Sequence, residues 1–317
     1  MNNPAPVAEL GRRVIDEVER AIVGKRAVLE KIMAAILTGG HVLLEDYPGL
    51  AKTLIAKSFA TTLGLDFKRI QFTPDLLPGD VTGSHIYNRA TNSFELRPGP
   101  IFANIVLADE INRASPKTQS ALLEAMQEQQ VTLDGESLAL PQPFLVIATQ
   151  NPIEYEGTFP LPEAQLDRFL MKLSVGYPSP AQEQEILRRR QQRGREAITL
   201  QQITSAAELL TVRETIETIY LHPDLERYIV DIVSATRRTH QVLVGASPRG
   251  SLALMTLARV RAALDGRDYV LPDDVKAFAQ PALVHRLILE PGLWMKQRAA
   301  DDIIATIVEQ VAVPVVD

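Results

Sequence analysis

Residues 46–53, DYPGLAKT, carry side chains that can hold a triphosphate. They follow the apolar run HVLLE and precede an amphipathic segment, so Lys52 and Thr53 lie where a turn would lead into a helix. In the pattern G-x-x-x-x-G-K-[ST], backbone N–H groups cradle phosphate oxygens, the lysine reaches the β- and γ-phosphates, and the hydroxyl binds Mg²⁺. Taken alone, the octet fits an ordinary strand-turn-helix equally well. The candidate nucleotide-binding residues are Pro48, Gly49, Leu50, Ala51, Lys52, Thr53 and Leu54, with Thr53 also a metal ligand.

Two positions of this octet depart from the usual pattern, because Asp46 and Ala51 stand where glycines are expected. Ala51 adds one methyl group, and if it needs a positive φ the strain is about 1–2 kcal/mol. A carboxylate at residue 46 would repel a triphosphate unless it points outward or serves as a turn or cap residue at the end of its strand. These departures leave open a scaffold that binds nucleotide without turnover.

A second segment, NIVLADEINRAS, ends an apolar run with two carboxylates, Asp109 and Glu110. Open α/β sheets present their chemistry at the carboxyl ends of strands. Asp109 could hold Mg²⁺ there through its water shell, and Glu110 could orient or deprotonate an attacking water. Acidic residues that merely end a strand are common, but these occur together with a lysine-threonine loop on another strand of the same predicted sheet.

Two further segments supply polar residues for the same chemistry. ATQNP places Asn151 where its amide could hold water against a γ-phosphate, with Thr149 as a lesser candidate, although Asn-Pro also forms turns. Arg168, in LPEAQLDRFLMKL, lies between a predicted helix and a predicted strand. It could form a surface ion pair with Asp167, or it could project into a neighbouring subunit's site and stabilise transition-state charge.

These segments need a sheet to bring them together, and the first half of the chain predicts one. Short β-rich apolar runs alternate with helical patterns, which is typical of a parallel sheet covered by helices. One of these helices, 115–129, has Ser115 as its N-cap and Pro116 at its first position. The predicted strands are 41–45, 67–72, 104–109, 144–149 and 169–175.

The second half of the chain changes character after about Tyr177. A proline-rich break and a charged helix come first, and the pattern that follows is helical, with turn signals between the helices. We therefore expect a core domain at 1–177, connecting helices at 178–215 and an all-helical domain at 216–317.

Composition limits the classes of function. The chain has 317 residues, 46% hydrophobic and 23% charged, with a formal charge of −6, which is typical of a globular protein and argues against a general nucleic-acid-binding surface. It has no cysteine, and its five histidines are scattered, so we expect neither thiolate metal sites nor structural zinc. No apolar run approaches the ~20 residues that span a bilayer, and the N-terminus lacks signal-peptide features. We expect a cytoplasmic protein without a membrane span.

The segments EDYPGLAKT, VLADEINRASPKTQSALLEAMQE, IATQNP, EAQLDRF and GASPRGS, in this order, resemble the MoxR family of AAA+ ATPases over nearly the whole chain. The resemblance implies an α/β fold, with an AAA+ P-loop αβα core around a five-stranded parallel sheet and a helical lid. It also implies roles for the residues above: Walker A for Lys52 and Thr53, Walker B for Asp109 and Glu110, and sensor 1 for Asn151.

The same resemblance assigns residues outside the core motifs. It implies that Arg168 is a finger acting in trans, that Arg249 in SPRG is sensor 2 on the lid, and that Val23 and Gly24 flank adenine. Arg249 could instead be a surface arginine at a helix start, and whether it acts in cis or trans stays open.

The family belongs to an AAA+ branch with two insertions in the core, and two segments are candidates for them. Residues 80–100 hold two short alternating runs among Gly, Asn and Pro, and residues 129–143 place Asp134-Gly135 between VTL and SLAL, a strong hairpin signal. Such hairpins line a central pore or a partner-facing surface in related machines, or they are passive edge hairpins.

As a function, the resemblance implies a Mg²⁺-dependent ATPase that binds ATP in a ring of subunits. The ring would be a hexameric chaperone that matures, activates or inserts metal into a protein client, often with a partner that carries a von Willebrand factor A domain. Alternatives are the ATPase motor subunit of a magnesium or cobalt chelatase and a non-hydrolysing scaffold. A DNA motor is disfavoured by the net charge, and a GTPase by the absence of an NKxD segment.

Overall fold

The computed structural model of the chain describes residues 3–152, 157–293, 296 and 298–315. The strands in chain order are β1 (Val42–Glu45), β2 (Phe67–Gln71), β3 (Gly83–Asn88), β4 (Ser93–Pro98), β5 (Ile105–Asp109), β6 (Gln130–Leu133), β7 (Glu136–Ala139), β8 (Leu145–Gln150), β9 (Met171–Leu173), β10 (Val242–Val244) and β11 (Ile288–Leu289). The α-helices are α1 (Ala5–Val18), α2 (Arg26–Thr38), α3 (Lys52–Leu63), α4 (Pro78–Thr82), α5 (Pro116–Glu128), α6 (Glu163–Leu166), α7 (Pro180–Arg193), α8 (Ala206–Glu217), α9 (Pro223–Thr236), α10 (Pro248–Leu264), α11 (Pro272–Leu283) and α12 (Ala299–Gln310).

Five of the strands form one parallel sheet, in the order β2-β5-β8-β1-β9. Successive side chains point to opposite faces, so Leu44 packs in one buried cluster and its neighbour Leu43 in the other. Because both faces are covered, the three inner strands β5, β8 and β1 read as apolar runs in the sequence. The predicted five-stranded parallel sheet is confirmed, although the fifth strand is shorter than the predicted 169–175.

Helix α5 covers one face of the sheet and follows the sequence prediction closely. The Ser115 side chain caps it by accepting a hydrogen bond from the Thr118 N–H at 3.4 Å, and Pro116 is its first residue. Leu122 and Met126 are buried in the cluster on that face. The other face of the sheet packs against α3, and its buried cluster continues into apolar side chains of α8 to α12.

Helices α8 to α12, called the lid below, pack on α1, α2 and each other. The sequence predicted a purely helical domain here, but β10 and β11 pair as a small antiparallel ribbon. Strands of three and two residues are too short to show an alternating pattern. Among the described residues, no helix combines the length and apolar composition that a membrane span requires.

Two hairpins project from the core. One is β3–β4, and the other is β6–β7, whose turn has positive φ values of 49° at Asp134 and 89° at Gly135. His85, near the start of β3, lies 2.7 Å from the Asp134 carboxylate, so the turn of the second hairpin contacts the first hairpin near its base.

Candidate functional site

The turn between β1 and α3 adopts a conformation with two positive φ angles. Gly49 has φ 82°, and a Cβ added there would meet no atom within 4 Å, which leaves open space on the concave side of the turn. Ala51 has φ 57° and lies just before the first residue of α3. The predicted condition for strain at Ala51 is therefore met, because a non-glycine residue in the left-handed region is disfavoured by about 1–2 kcal/mol.

The first turn of α3 lacks a side-chain cap. Serine hydroxyls cap α5, α7, α8 and α10, whereas Ala51 offers no acceptor to the first N–H groups of α3. Uncapped N–H groups at a helix start, together with the positive end of the helix dipole, form an anion site. The turn therefore fits phosphate oxygens.

Lys52 starts this helix and already has a hydrogen-bond acceptor within the turn. Its Nζ donates to the Asp46 carbonyl oxygen at 2.7 Å. Burial lowers the pKa of Lys52 below its ordinary value, whereas the carboxylates of Asp46, Asp109 and Glu110 oppose this shift. A half-buried ammonium beside an uncapped helix start is suited to a phosphate ligand.

The Asp46 carboxylate points away from the concave side of the turn. It is 5% exposed and accepts hydrogen bonds from Ser174 Oγ at 2.8 Å, from Gly176 N at 3.2 Å and from Val175 N. These donors satisfy the buried carboxylate. The repulsion that the sequence predicts between the Asp46 carboxylate and a triphosphate is therefore reduced, because the carboxylate accepts hydrogen bonds from the segment that follows β9.

Asp109 and Glu110 lie together at the end of β5 and are joined by a single hydroxyl. Thr149 Oγ1 donates to Asp109 Oδ1 at 2.6 Å and accepts from the Glu110 N–H at 2.9 Å. Thr149, on the neighbouring strand β8, therefore orients the Asp109 carboxylate and the backbone of Glu110. Glu110 itself has φ 57°, which turns the chain sharply after the strand.

Two residues of β2 belong to this network and were missed from the sequence. Arg69 donates to Asp109 Oδ2 through Nε at 3.0 Å and Nη2 at 2.7 Å, and Gln71 Nε2 donates to Glu110 Oε2 at 2.8 Å. Both side chains lie on one side of β2, since they are two residues apart. Polar residues at alternate positions near the end of this edge strand were the available signal.

A cavity of about 420 Å³ gathers the turn and the acidic pair. Val23 lines an adjoining cavity of about 650 Å³, and Thr53 and Leu54 line both. Gly24 lies beside them, with its carbonyl oxygen accepting from Gln182 Nε2 at 3.1 Å. The predicted site residues that line the smaller cavity are Pro48, Gly49, Leu50, Ala51, Lys52, Thr53, Leu54, Asp109, Glu110 and Asn151. Thr149, the lesser candidate, and Arg69, which was not predicted, also line it.

Arg168 and Arg249 do not join this cavity. Both line a separate cavity of about 310 Å³. The Leu170 N–H donates to the His41 carbonyl oxygen at 2.8 Å, which places this region at the amino end of β1. Lys52 follows the carboxyl end of β1, and four strand residues span roughly 13 Å. The two arginines therefore lie at the opposite end of the sheet from the turn between β1 and α3 of the same chain.

A buried ion pair holds the two arginine-bearing segments together. The Arg286 side chain is 3% exposed, and its Nε donates to Asp167 Oδ1 at 2.7 Å. The other Asp167 oxygen accepts from Ser247 Oγ at 3.0 Å. The predicted alternative of an Asp167–Arg168 ion pair is thus replaced by Asp167–Arg286, which frees Arg168 for another role.

Comparison with known proteins gives the family. Residues 41–171 match the ATPase family associated with various cellular activities (AAA), and residues 234–307 match the AAA lid domain. YeaC of Bacillus subtilis (strain 168) is 50% identical over 303 residues, which are 96% of this chain and 94% of YeaC. The chaperone MoxR1 of Mycobacterium tuberculosis is 46% identical over 314 residues, which are 96% of this chain and 82% of MoxR1. This chain belongs to the MoxR family of AAA+ ATPases.

A solved structure agrees with this membership. A candidate ATPase from Cytophaga hutchinsonii has a TM-score of 0.92 and 43% sequence identity, over 98% of this chain and 97% of that one. The MoxR-family fold seen here therefore includes both the core and the lid.

The side chains of this MoxR-family site also fit a hard cation. A threonine hydroxyl, Thr53, and a carboxylate, Asp109, line the same cavity as Lys52, and Mg²⁺ prefers such oxygen ligands together with phosphate oxygens and water. Both Asp109 oxygens already accept hydrogen bonds, which suits contact through the ion's water shell. No group of three or more His, Cys, Asp or Glu that could hold a metal by itself occurs in the described ranges.

Proposed function

We propose that this chain is a Mg²⁺-dependent ATPase that works as a ring, in which ATP hydrolysis remodels a protein client. Each ATP would lie between the phosphate-binding turn of one subunit and Arg168 and Arg249 of the next. The observation that carries the proposal is the placement of these arginines at the far end of the sheet from their own Lys52. A neighbour in a head-to-tail ring would bring the two ends together.

Each residue of the turn has a task in this arrangement. The open N–H groups at the start of α3 and the Lys52 ammonium would hold the β- and γ-phosphates. Val23 and Leu54 line the adjoining cavity, where the adenine would lie. Mg²⁺, held by the Thr53 hydroxyl and by Asp109 through water, would neutralise phosphate charge.

The acidic pair and the sensor would act on the attacking water. Glu110 would accept its proton, and the hydrogen bond from Gln71 fixes the Glu110 carboxylate in direction. Asn151 lines the same cavity and would position the water. The guanidinium groups of Arg168 and Arg249 from the next subunit would stabilise the charge that develops on the γ-phosphoryl group.

The remaining parts of the proposal rest on the family. MoxR1 is a chaperone, and we extend this activity to the present chain. We further propose a hexamer in the cytoplasm, a partner with a von Willebrand factor A domain, and a client that is matured or supplied with metal.

The test is ATP turnover by a mixture of two inactive variants, Lys52→Ala and Arg168→Ala. Each alone should lose at least roughly 100-fold in turnover, since arginine fingers are worth about 10³–10⁵ in kcat. In an equal random mixture, about one interface in four joins an intact Lys52 to an intact Arg168, so roughly a quarter of wild-type turnover should return.

The control is a mixture of Arg168→Ala with the double variant Lys52→Ala/Arg168→Ala, which contains no intact Arg168 and should stay inactive. If wild type hydrolyses ATP but the first mixture stays silent, Arg168 does not act in trans. If wild type binds ATP without turnover, the chain is a nucleotide-binding scaffold.

A further inference from the structure

The Asp46 carboxylate connects the phosphate-binding turn to the chain that leads into the lid. It accepts hydrogen bonds from the side chain of Ser174 and from the N–H groups of Val175 and Gly176. These three residues follow β9 directly and precede α7, the helix through which the chain passes from core to lid. A glycine at residue 46 would leave both N–H groups without this acceptor.

The backbone of Asp46 makes two more connections. Its carbonyl oxygen accepts from Lys52 Nζ at 2.7 Å, and its N–H donates to the Gln150 carbonyl oxygen at 3.2 Å. Gln150 precedes Asn151 in the nucleotide cavity. One residue therefore contacts the phosphate-binding lysine, the strand that carries Asn151, and the connection to the lid.

Neighbouring contacts hold the start of α7 to the same region. The rings of Tyr47 and Tyr177 lie 5.8 Å apart, and Lys25 Nζ donates to the Tyr177 carbonyl oxygen at 2.9 Å. Gln182, in the first turn of α7, donates to the Gly24 carbonyl oxygen at 3.1 Å. A shift in the turn would thus reach α7 over a short, continuous set of contacts.

We propose that Asp46 is a positioning residue that transmits the state of the phosphate-binding turn to α7 and the lid. The proposal rests on the proposed nucleotide site. A triphosphate competes with the Asp46 carbonyl oxygen for the Lys52 ammonium, so nucleotide binding changes the hydrogen bonds of residue 46. Because the carboxylate is buried and bonded to three donors, residue 46 and residues 174–176 move as a unit.

The departure from glycine at this position then has a use. Glycine would bind phosphate equally well from its backbone, but it would have no side chain to contact the segment after β9. The carboxylate gives this loop a link to the lid, and its direction away from the cavity keeps its charge from the phosphates.

Hydrogen exchange with and without a non-hydrolysable ATP analogue tests the link. Two quantities would be compared in wild type, Asp46→Asn and Ser174→Ala. The first is the dissociation constant of the protein for the Mg²⁺ complex of adenylyl-imidodiphosphate. The second is the deuterium uptake of peptides that cover residues 177–193. The control is Asp66→Asn, which makes the same change at an exposed aspartate of the core.

In wild type and Asp66→Asn, the analogue should slow exchange over 177–193. In Asp46→Asn the dissociation constant should stay within about threefold of wild type, while the change in exchange falls to less than about a third. Ser174→Ala, which removes one of three donors, should give an intermediate response. A purely structural role would not separate binding from response in this way.

Three outcomes would overturn the proposal. A full exchange response in Asp46→Asn would show that the link does not pass through this carboxylate. Loss of binding and response together, in Asp46→Asn and Ser174→Ala alike, would make Asp46 a structural residue of the turn. If wild type itself does not bind the analogue, the nucleotide site fails, and the link fails with it.

Discussion

The charged side chains at the two ends of the parallel sheet differ in whether they have partners within the chain. At the carboxyl end, Asp109 and Glu110 are engaged within the chain, by Arg69 at 2.7 Å and by Gln71 at 2.8 Å. At the amino end, no side-chain hydrogen bond or ion pair of Arg168 or Arg249 occurs among the described residues, and Arg249 is exposed.

This difference separates an assembled site from an incomplete one. The carboxyl end gathers anions, cations and an uncapped helix start around one cavity within a single chain. The amino end holds cations on a rigid base, with Arg286 buried beneath them. Cations held without partners are suited to an anion that another molecule brings. Each end can be broken separately, and the expected effects differ in kind.

The largest effect should come from the carboxyl end, with Glu110→Gln. The amide keeps the shape and can still accept from Gln71, but it cannot accept a proton from water. ATP turnover should fall by about 10²–10⁴-fold, the usual contribution of a general base. The affinity for ATP, measured by titration, should stay within a few fold.

The matched control is Glu124→Gln, at an exposed position of α5, which should turn over ATP like wild type. Wild-type turnover in Glu110→Gln would mean that water is activated elsewhere, and the carboxyl end would then be a binding site only.

A smaller effect, on stability, is expected at the amino end with Asp167→Asn. The change leaves the Arg286 guanidinium buried without its carboxylate, while Arg286 still donates to the carbonyl oxygens of Phe169 and Leu170. Removing one partner of a buried ion pair usually costs 3–5 kcal/mol, and Asp167 is 21% exposed, so we expect about 2–3 kcal/mol in the free energy of unfolding.

Urea denaturation measures this effect. Asp273→Asn is the control, because Asp273 is 88% exposed and its 3.4 Å pair with Lys276 should contribute less than about 0.5 kcal/mol. Equal stability of the two variants would show that the amino end does not depend on the Asp167–Arg286 pair, and Arg168 and Arg249 would then not be held on a rigid base.

The fold was predictable because its signals are local. Apolar runs ending in Asp109 or followed by a lysine-threonine turn define strands, and Ser115-Pro116 defines a helix start. Hairpin β6–β7 was marked by Asp134-Gly135. The prediction was wrong for elements too short to show a periodic pattern. It missed the ribbon β10–β11, and it extended the fifth strand beyond Leu173, where the chain leaves the sheet and bonds with Asp46.

The partners within the site could not be predicted, because they come from distant parts of the chain. Arg69 reaches Asp109 from 40 residues away, and Arg286 reaches Asp167 from 119 residues away. The adjacent Asp167-Arg168 pair suggested a local contact, and no sequence pattern points to Arg286 as the partner. Asp46 departs visibly from the glycine of the phosphate-loop pattern. Its hydrogen-bond donors lie 128 to 130 residues later in the chain, and only the fold brings them to Asp46.

The smallest effect is a pH dependence of stability, and it belongs to the amino end. His41, just before β1, is buried, with Nε2 2.9 Å from the Met126 carbonyl oxygen and Nδ1 accepting from the Val146 N–H at 3.0 Å. Burial, opposed by the hydrogen bond to the Met126 carbonyl and assisted by the charge of Arg213, lowers the pKa of His41 to about 4. His285, which contacts the Phe169 carbonyl oxygen, also has a pKa held well below its ordinary value by burial.

The sign follows from linkage. The unfolded chain binds a proton at His41 near pH 6.5 and the folded chain only near pH 4, so the His41 contribution is complete above pH 6.5 and is lost progressively as the pH falls from 6.5 to 4. At pH 5 the loss should be about 2 kcal/mol. Urea denaturation between pH 7 and 5 should show a shallower decline in His41→Gln than in wild type, and an unchanged one in His240→Gln, at an exposed position. If the stability of His41→Gln declines with pH as steeply as that of wild type, the acid sensitivity arises elsewhere. The amino end of the sheet then differs from the carboxyl end in its arginines alone.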